Sequence, residues 1–155
     1  MPARALLGAA LALAATVVAP GCGGGIDVVV PADEPSAPPI TVSVLVEPAA
    51  DEARWFRDVE VPEGTDGYEL LEAVTQGDLV AEWYPEFRSH FVSAVLGTAP
   101  AGDAFWGVFV WSEANDSWEP LPVGADLYSL KNGHVMGWAV VEFDPDAPQL
   151  PVSTP

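Results

Sequence analysis

Residues 104–111 read AFWGVFVW, with two tryptophans, two phenylalanines and no charge in eight positions. A β-strand points successive side chains to opposite faces. Phe105, Gly107, Phe109 and Trp111 therefore share one side, and Ala104, Trp106, Val108 and Val110 share the other. Both sides are apolar. The stretch HVMGWAVVEF from His134 behaves alike: Met136, Trp138 and Val140 oppose Val135, Ala139 and Val141. Burying a Trp or Phe removes about 150–250 Å² from water, stabilising by about 25 cal/mol per Å². Any fold for this chain must cover a sheet on both faces around these two strands.

The other elements can be placed around them. ITVSVLVE, 40–47, alternates with Val42, Val44 and Val46 on one side and Thr41, Ser43 and Glu47 on the other, a strand with one wet face. WFRDVEV, 55–61, is its expected hairpin partner, ended by Pro62-Glu63-Gly64. TDGYELLEAVTQG carries the clearest helix signal. Asp66 can cap, Glu69 completes a capping box, Gly77 stands at C′, and Leu70, Leu71 and Val74 form a short apolar stripe. HFVSAVLG from His90 reads as a further strand, whereas LVAEWYPEF before it is ambiguous, since Pro85 interrupts it. SEANDSWEP, 112–120, has turn composition, and Lys131-Asn132-Gly133 is a tight-turn signal into the last strand. The expected fold is α+β, a mixed sheet with one main helix packed on one face.

The ends of the chain differ from this middle. One early charge, Arg4, precedes an uncharged run from Ala5 to Ala19 and then Pro20-Gly21-Cys22. Those 15 residues are shorter than the roughly 20 needed to span a bilayer, so residues 1–21 read as an export signal. Cys22 is the only cysteine and cannot form an intramolecular disulfide. Ala19-Pro20-Gly21-Cys22 resembles the lipobox of bacterial lipoproteins, although Ala19 stands where that family usually has a larger aliphatic residue. The resemblance implies lipidation at Cys22 and an exported, lipid-anchored location at the cell envelope. Residues 22–39, with Gly23-Gly24-Gly25 and prolines at 31, 35, 38 and 39, read as a tether. The proline-rich end 144–155 is expected to be disordered.

Charge narrows the partners. The chain has 5 basic and 23 acidic residues, net −18, and loss of residues 1–21 removes only Arg4. Such a surface repels nucleic acid and anionic lipid head groups within a Debye length. Nucleic-acid binding is not expected, and no stretch has the spacing of a calcium loop.

With the elements in place a family resemblance becomes visible. The order hairpin, helix, strands resembles a β-grasp fold, and several segments are similar to the transcobalamin C-terminal-like domain of bacterial envelope proteins. These are VPEGTDGYELLEAV, HFVSAVLG, FWGVFVW and VGADLYSLKNGHVMGWAVVEF, together spanning most of residues 40–143. The last is the most specific, with Val123-Gly124-Ala125, Tyr128, Asn132-Gly133 and Trp138 in the family's order; His134 departs from it, standing where an acid is usual. In the vertebrate cobalamin carriers a domain of this kind covers one face of the corrinoid while a helical barrel holds the other. The resemblance thus implies a binding role toward a corrinoid-like or other small ligand, and nothing in this chain could be the barrel.

Two covers for the second sheet face remain open. The chain itself could close it through 112–133, with Trp118, Leu121, Leu127, Tyr128 and Leu130. Alternatively a flat ligand, a sugar or a partner protein of the envelope stacks on Trp106, Trp111 and Tyr128, with Trp138 on the neighbouring strand. Trp55, Trp83 and Trp118 read as half-buried lids. Catalytic and metal sites are not expected: there is no nucleophile elbow, His-Glu-x-x-His or phosphate loop. His90 and His134 read as ordinary strand-end residues. Glu82 and Glu86 form only the kind of carboxylate pair that any acidic chain offers by chance.

Overall fold

The computed structural model describes residues 38–144 and 149–155. The export signal, Cys22, the tether up to residue 37 and residues 145–148 of the tail lie outside them.

Among the described residues are seven strands and one α-helix; hairpin, helix and strands follow as expected, but residues 117–120, inside the stretch read as a turn, form a short strand of their own. The strands β1 (Pro39–Glu47) and β2 (Arg54–Pro62) pair antiparallel, with a register shift between Val42 and Val44. Asp58 takes the extra residue at a positive φ of 52°, and its N–H donates to Ser43 Oγ at 3.3 Å. The helix α1 (Gly67–Thr75) begins with the capping box read from the sequence: Asp66 accepts from the Glu69 N–H, and Glu69 accepts from the Asp66 N–H. It stops at Gln76 and Gly77, both with positive φ.

The ambiguous stretch before His90 is a strand, β3 (Leu79–Tyr84), paired antiparallel with β4 (Ser89–Val95) in a ribbon of its own. Pro85 sits in the turn between the two, where its missing N–H costs nothing. Then come β5 (Ala104–Ser112), the short β6 (Ser117–Pro120), a 3₁₀ turn (Ala125–Leu127) and β7 (Val135–Glu142). The main sheet has the order β2-β1-β7-β5-β6, with β7 parallel to β1 and antiparallel to β5. This mixed sheet with one main helix is the expected α+β architecture. The Asn132-Gly133 turn fixes the parallel pair: Asn132 Oδ1 accepts from the Thr41 N–H at 2.8 Å, and the Gly133 N–H donates to the Thr41 carbonyl at 2.7 Å.

The period-two reading of β5 and β7 holds residue by residue. Toward the helix, Val42, Val44, Val46, Trp106, Met136 and Trp138 pack with Leu70 and Leu71 of α1 and Val92 and Val95 of β4. On the opposite face Leu45, Phe109, Ala139 and Val141 pack with Trp118, and Phe105, Trp111 and Trp55 lie against them.

That second face is covered by the chain, but only in part by the segment expected. Of residues 112–133 only Trp118 reaches it; Leu121, Tyr128 and Leu130 pack on the helix side. The cover includes residues 149–155, expected to be disordered. Glu47, at the end of β1, is buried and its carboxylate accepts the Val152 N–H at 2.7 Å and the Ser153 N–H at 2.9 Å. The Trp118 indole N–H donates to the Ser153 carbonyl at 2.7 Å. Gly137 lets Trp118 and Pro151 approach, since a Cβ there would lie 3.0 Å from the Trp118 ring and 3.4 Å from Pro151. The tail's low apolar content had pointed to disorder. A buried carboxylate and an indole supply polar anchors that a hydrophobicity argument does not see. The same contacts make Glu47, read as facing water, an interior residue.

Candidate functional site

An exposed apolar surface lies beside the β3–β4 ribbon. Phe87 and Phe91 are 69% and 52% exposed, and Trp83 and Val123 nearly half. Tyr84 groups with the two phenylalanines, its ring 6.5 Å from Phe87 and 6.4 Å from Phe91. Together with Leu121, Pro122 and Val123 they line a cleft of about 430 Å³. An adjoining hollow of about 270 Å³ shares Ser89, His90, Phe91, Leu121, Val123 and Gly124 with the cleft and extends to Trp106, Val108 and Trp138. Exposed aromatics at the mouth thus lead to buried indoles of the main sheet.

The two walls belong to different elements, so something must hold them together. Asp126, in the 3₁₀ turn, accepts from the Ser89 hydroxyl at 2.8 Å, from the His90 N–H at 2.8 Å, and meets His90 Nδ1 at 2.5 Å. Burial alone would raise its pKa, but the His90 backbone N–H, the His90 ring and the Ser89 hydroxyl together hold the carboxyl below its ordinary value. The His90 ring is stacked on Tyr68 of α1 at 3.9 Å and meets Trp83 edge-on at 5.0 Å. Gly124 is needed for the same closeness, because a Cβ there would overlap the Ser89 hydroxyl. Loop 121–127 is therefore latched to the first two residues of β4.

Serine, histidine and aspartate meet here, but the carboxylate stands in the middle and binds both partners. In a nucleophile–base relay the imidazole occupies that position. The arrangement positions a loop. Among the described residues no group of three or more His, Cys, Asp or Glu side chains is placed to hold a metal ion.

The sequence-selected aromatics do not converge on one surface. Trp106 and Trp111 are five positions apart in one strand and so face opposite sides of the sheet. Trp106 and Trp138 are buried on the helix side and line the inner hollow. Trp111 lies on the tail-covered face, its ring edge-on to Trp118 at 5.3 Å. Tyr128 stacks on His134 at 5.6 Å, away from both hollows. There burial, and to a lesser degree nearby Lys131, lower the pKa of His134. Trp118 is fully buried, unlike the half-buried lid expected of it, and Trp83 is the most exposed of the three. The residues missed are Tyr84, Phe87 and Phe91. Their signal was the run WYPEFRSHF, four aromatic rings in nine positions, which the proline and the charges between them obscured.

No protein family model matches the chain, and no curated protein matches its sequence. Among solved structures it resembles haptocorrin in complex with Cbi, with 17% identity, a TM-score of 0.57, and 69% of this chain but 26% of that one covered. It also resembles a proposed metal-binding protein from Ruminococcus gnavus ATCC 29149, with 16% identity, a TM-score of 0.53, and 68% of this chain and 99% of that one covered. At these identities the likeness is one of fold. The chain spans about a quarter of haptocorrin's length.

Proposed function

We propose that this chain is a lipid-anchored, non-catalytic binding protein of the bacterial cell envelope, and that the cleft between the β3–β4 ribbon and loop 121–124 receives one edge of a flat, largely apolar ligand of the corrinoid class. The observation that carries the reading is the aromatic mouth, exposed Phe87 and Phe91 with half-buried Tyr84, opening onto an adjoining hollow that reaches Trp106 and Trp138. Soluble domains rarely leave such a surface uncovered unless something binds there. Ligand pockets run from about 300 to 1,000 Å³, and a cleft of about 430 Å³ suits part of a corrinoid. The fold likeness to haptocorrin, a structure solved with a corrinoid, favours that class over a sugar. With only one side of the ligand held, affinity in the micromolar range is expected, about −8 kcal/mol. The export signal and Cys22 supply the anchor, and the tether read over residues 22–39 the spacing from the head groups.

Titration with cobinamide, followed by tryptophan fluorescence, tests the ligand. Saturable quenching that is weakened in Phe91→Ala supports the reading; a flat titration refutes the corrinoid class. Recovery of a stoichiometric protein partner from envelope extract, lost in Phe87→Ala, would replace the small ligand by a protein. Labelling with a fatty-acid probe in Cys22→Ser tests the anchor, and undiminished label in the variant rejects it.

A further inference from the structure

Aromatic rings attract cations, and the rings near the surface of this domain are served in two ways. On β2 the Arg57 guanidinium lies 4.3 Å from the centre of the Trp55 ring, so that ring has a cation from its own chain. Tyr84, Phe87 and Phe91 have none among the described residues. All three line the outer cleft, Tyr84 standing 6.5 Å from Phe87 at 41° and 6.4 Å from Phe91 at 80°. They are walls set at angles, not one stack.

Carboxylates stand beside these walls. Glu82 is opposite Phe91 in the register of the ribbon and two positions before Tyr84, hence on the face those rings share. Its Oε2 accepts from the Tyr84 hydroxyl at 3.2 Å. That hydrogen bond first, then the Glu82 charge, desolvation and the Glu86 charge raise the Tyr84 pKa, so both carboxylates are felt at the phenol. Against them, Arg88 is the one arginine or lysine in residues 79–95, and the whole chain carries net −18. The cleft is completed by apolar Leu121, Pro122 and Val123. A primary ammonium brings three N–H donors that such walls leave unpaired. A quaternary ammonium brings none and meets apolar walls with methyl groups.

We propose that the aromatic mouth of the cleft is a subsite for a quaternary ammonium group, held among Tyr84, Phe87 and Phe91, with Glu82 and Glu86 as its countercharge. It rests on the reading of the cleft as a binding site, but not on the corrinoid. Binding of cobinamide without choline would leave the corrinoid reading and remove this one; binding of choline without cobinamide would do the reverse.

The test uses choline chloride and its neutral isostere 3,3-dimethyl-1-butanol, in which carbon replaces the nitrogen, at constant ionic strength. Aromatic ¹H–¹³C spectra of the whole protein, assigned from the signals missing in Phe87→Leu and Phe91→Leu, report contact with the rings. Choline should shift the signals of all three rings saturably in the millimolar range. The alcohol should bind about ten-fold more weakly, the factor that three cation–π contacts of exposed strength supply. Phe91→Leu keeps apolar bulk and loses one ring, so choline should bind about three-fold more weakly and the alcohol no differently. Equal affinity for the two probes would show a cleft indifferent to charge, and choline binding untouched by Phe91→Leu would show diffuse attraction to an acidic surface. Either result, or no saturable shift with choline in the millimolar range, overturns the subsite. The comparison of the two probes on the wild type does not depend on whether a variant folds.

Discussion

The two faces of the main sheet are equally apolar in sequence and are finished differently. On one, the tail closes over Trp118, and the polar groups it buries, the Glu47 carboxylate and the Trp118 N–H, find partners within the chain. On the other, α1 and the ribbon cover most of the surface. They leave a cleft, an adjoining hollow, exposed phenylalanines and an indole without an acceptor among the described residues. On the tail face the buried polar anchors close within the chain, although hollows of about 220 and 370 Å³ remain beside Gln149; the helix-side face is, in this reading, the one completed by something else.

The sharpest way to break the contrast is to remove the tail. Deletion of residues 149–155 leaves Glu47 a charge without its two N–H donors beside newly exposed Trp118, and should destabilise the domain by about 3–5 kcal/mol in urea unfolding. A loss under 1 kcal/mol would show that the second face does not need its strap. Next in size is Gly124→Val, which pushes loop 121–127 off Ser89. It should cost about 1–3 kcal/mol and weaken cobinamide quenching together with stability.

Asp126→Asn opens the latch more gently. The carboxyl's folded pKa is lowered, so its contribution is complete above the ordinary value of about 3.9 and fades as pH falls through the depressed folded value. The Tm difference between wild type and Asp126→Asn should therefore be constant near neutrality and shrink in strong acid. A difference that instead grows on acidification contradicts the latch. Smallest in stability is Phe91→Ala: its side chain is half in water, so unfolding should shift by no more than about 0.5 kcal/mol while cobinamide binding falls. A variant that unfolds early but binds normally would place Phe91 with the structural face and cancel the distinction.

Much of the fold was legible because its signals are local. The Asp66–Glu69 capping box, the Gly77 stop and the alternation of β5 and β7 each depend on neighbours within a few positions. Pairings between distant segments were not: Glu47 meets Val152 and Ser153 across more than a hundred residues, and neither end announces the other. The site was half visible. Alternation alone separates Trp106 from Trp111, so a shared ligand face for those two was ruled out by the pattern. That Trp106 and Trp138 would line a hollow under the β3–β4 ribbon depended on where Asp126 latches its loop.

By itself, then, the sequence determined the order hairpin, helix, strands, the sidedness of β5 and β7 and the need for cover on both of their faces, since these follow from side-chain period and apolar area. The tertiary structure alone decided which segment covers which face and where the cover stops. Those outcomes turn on single long-range hydrogen bonds between a buried carboxylate or indole and backbone far away in the chain. No periodic pattern encodes such a partner, because its geometry exists only after the sheet has formed.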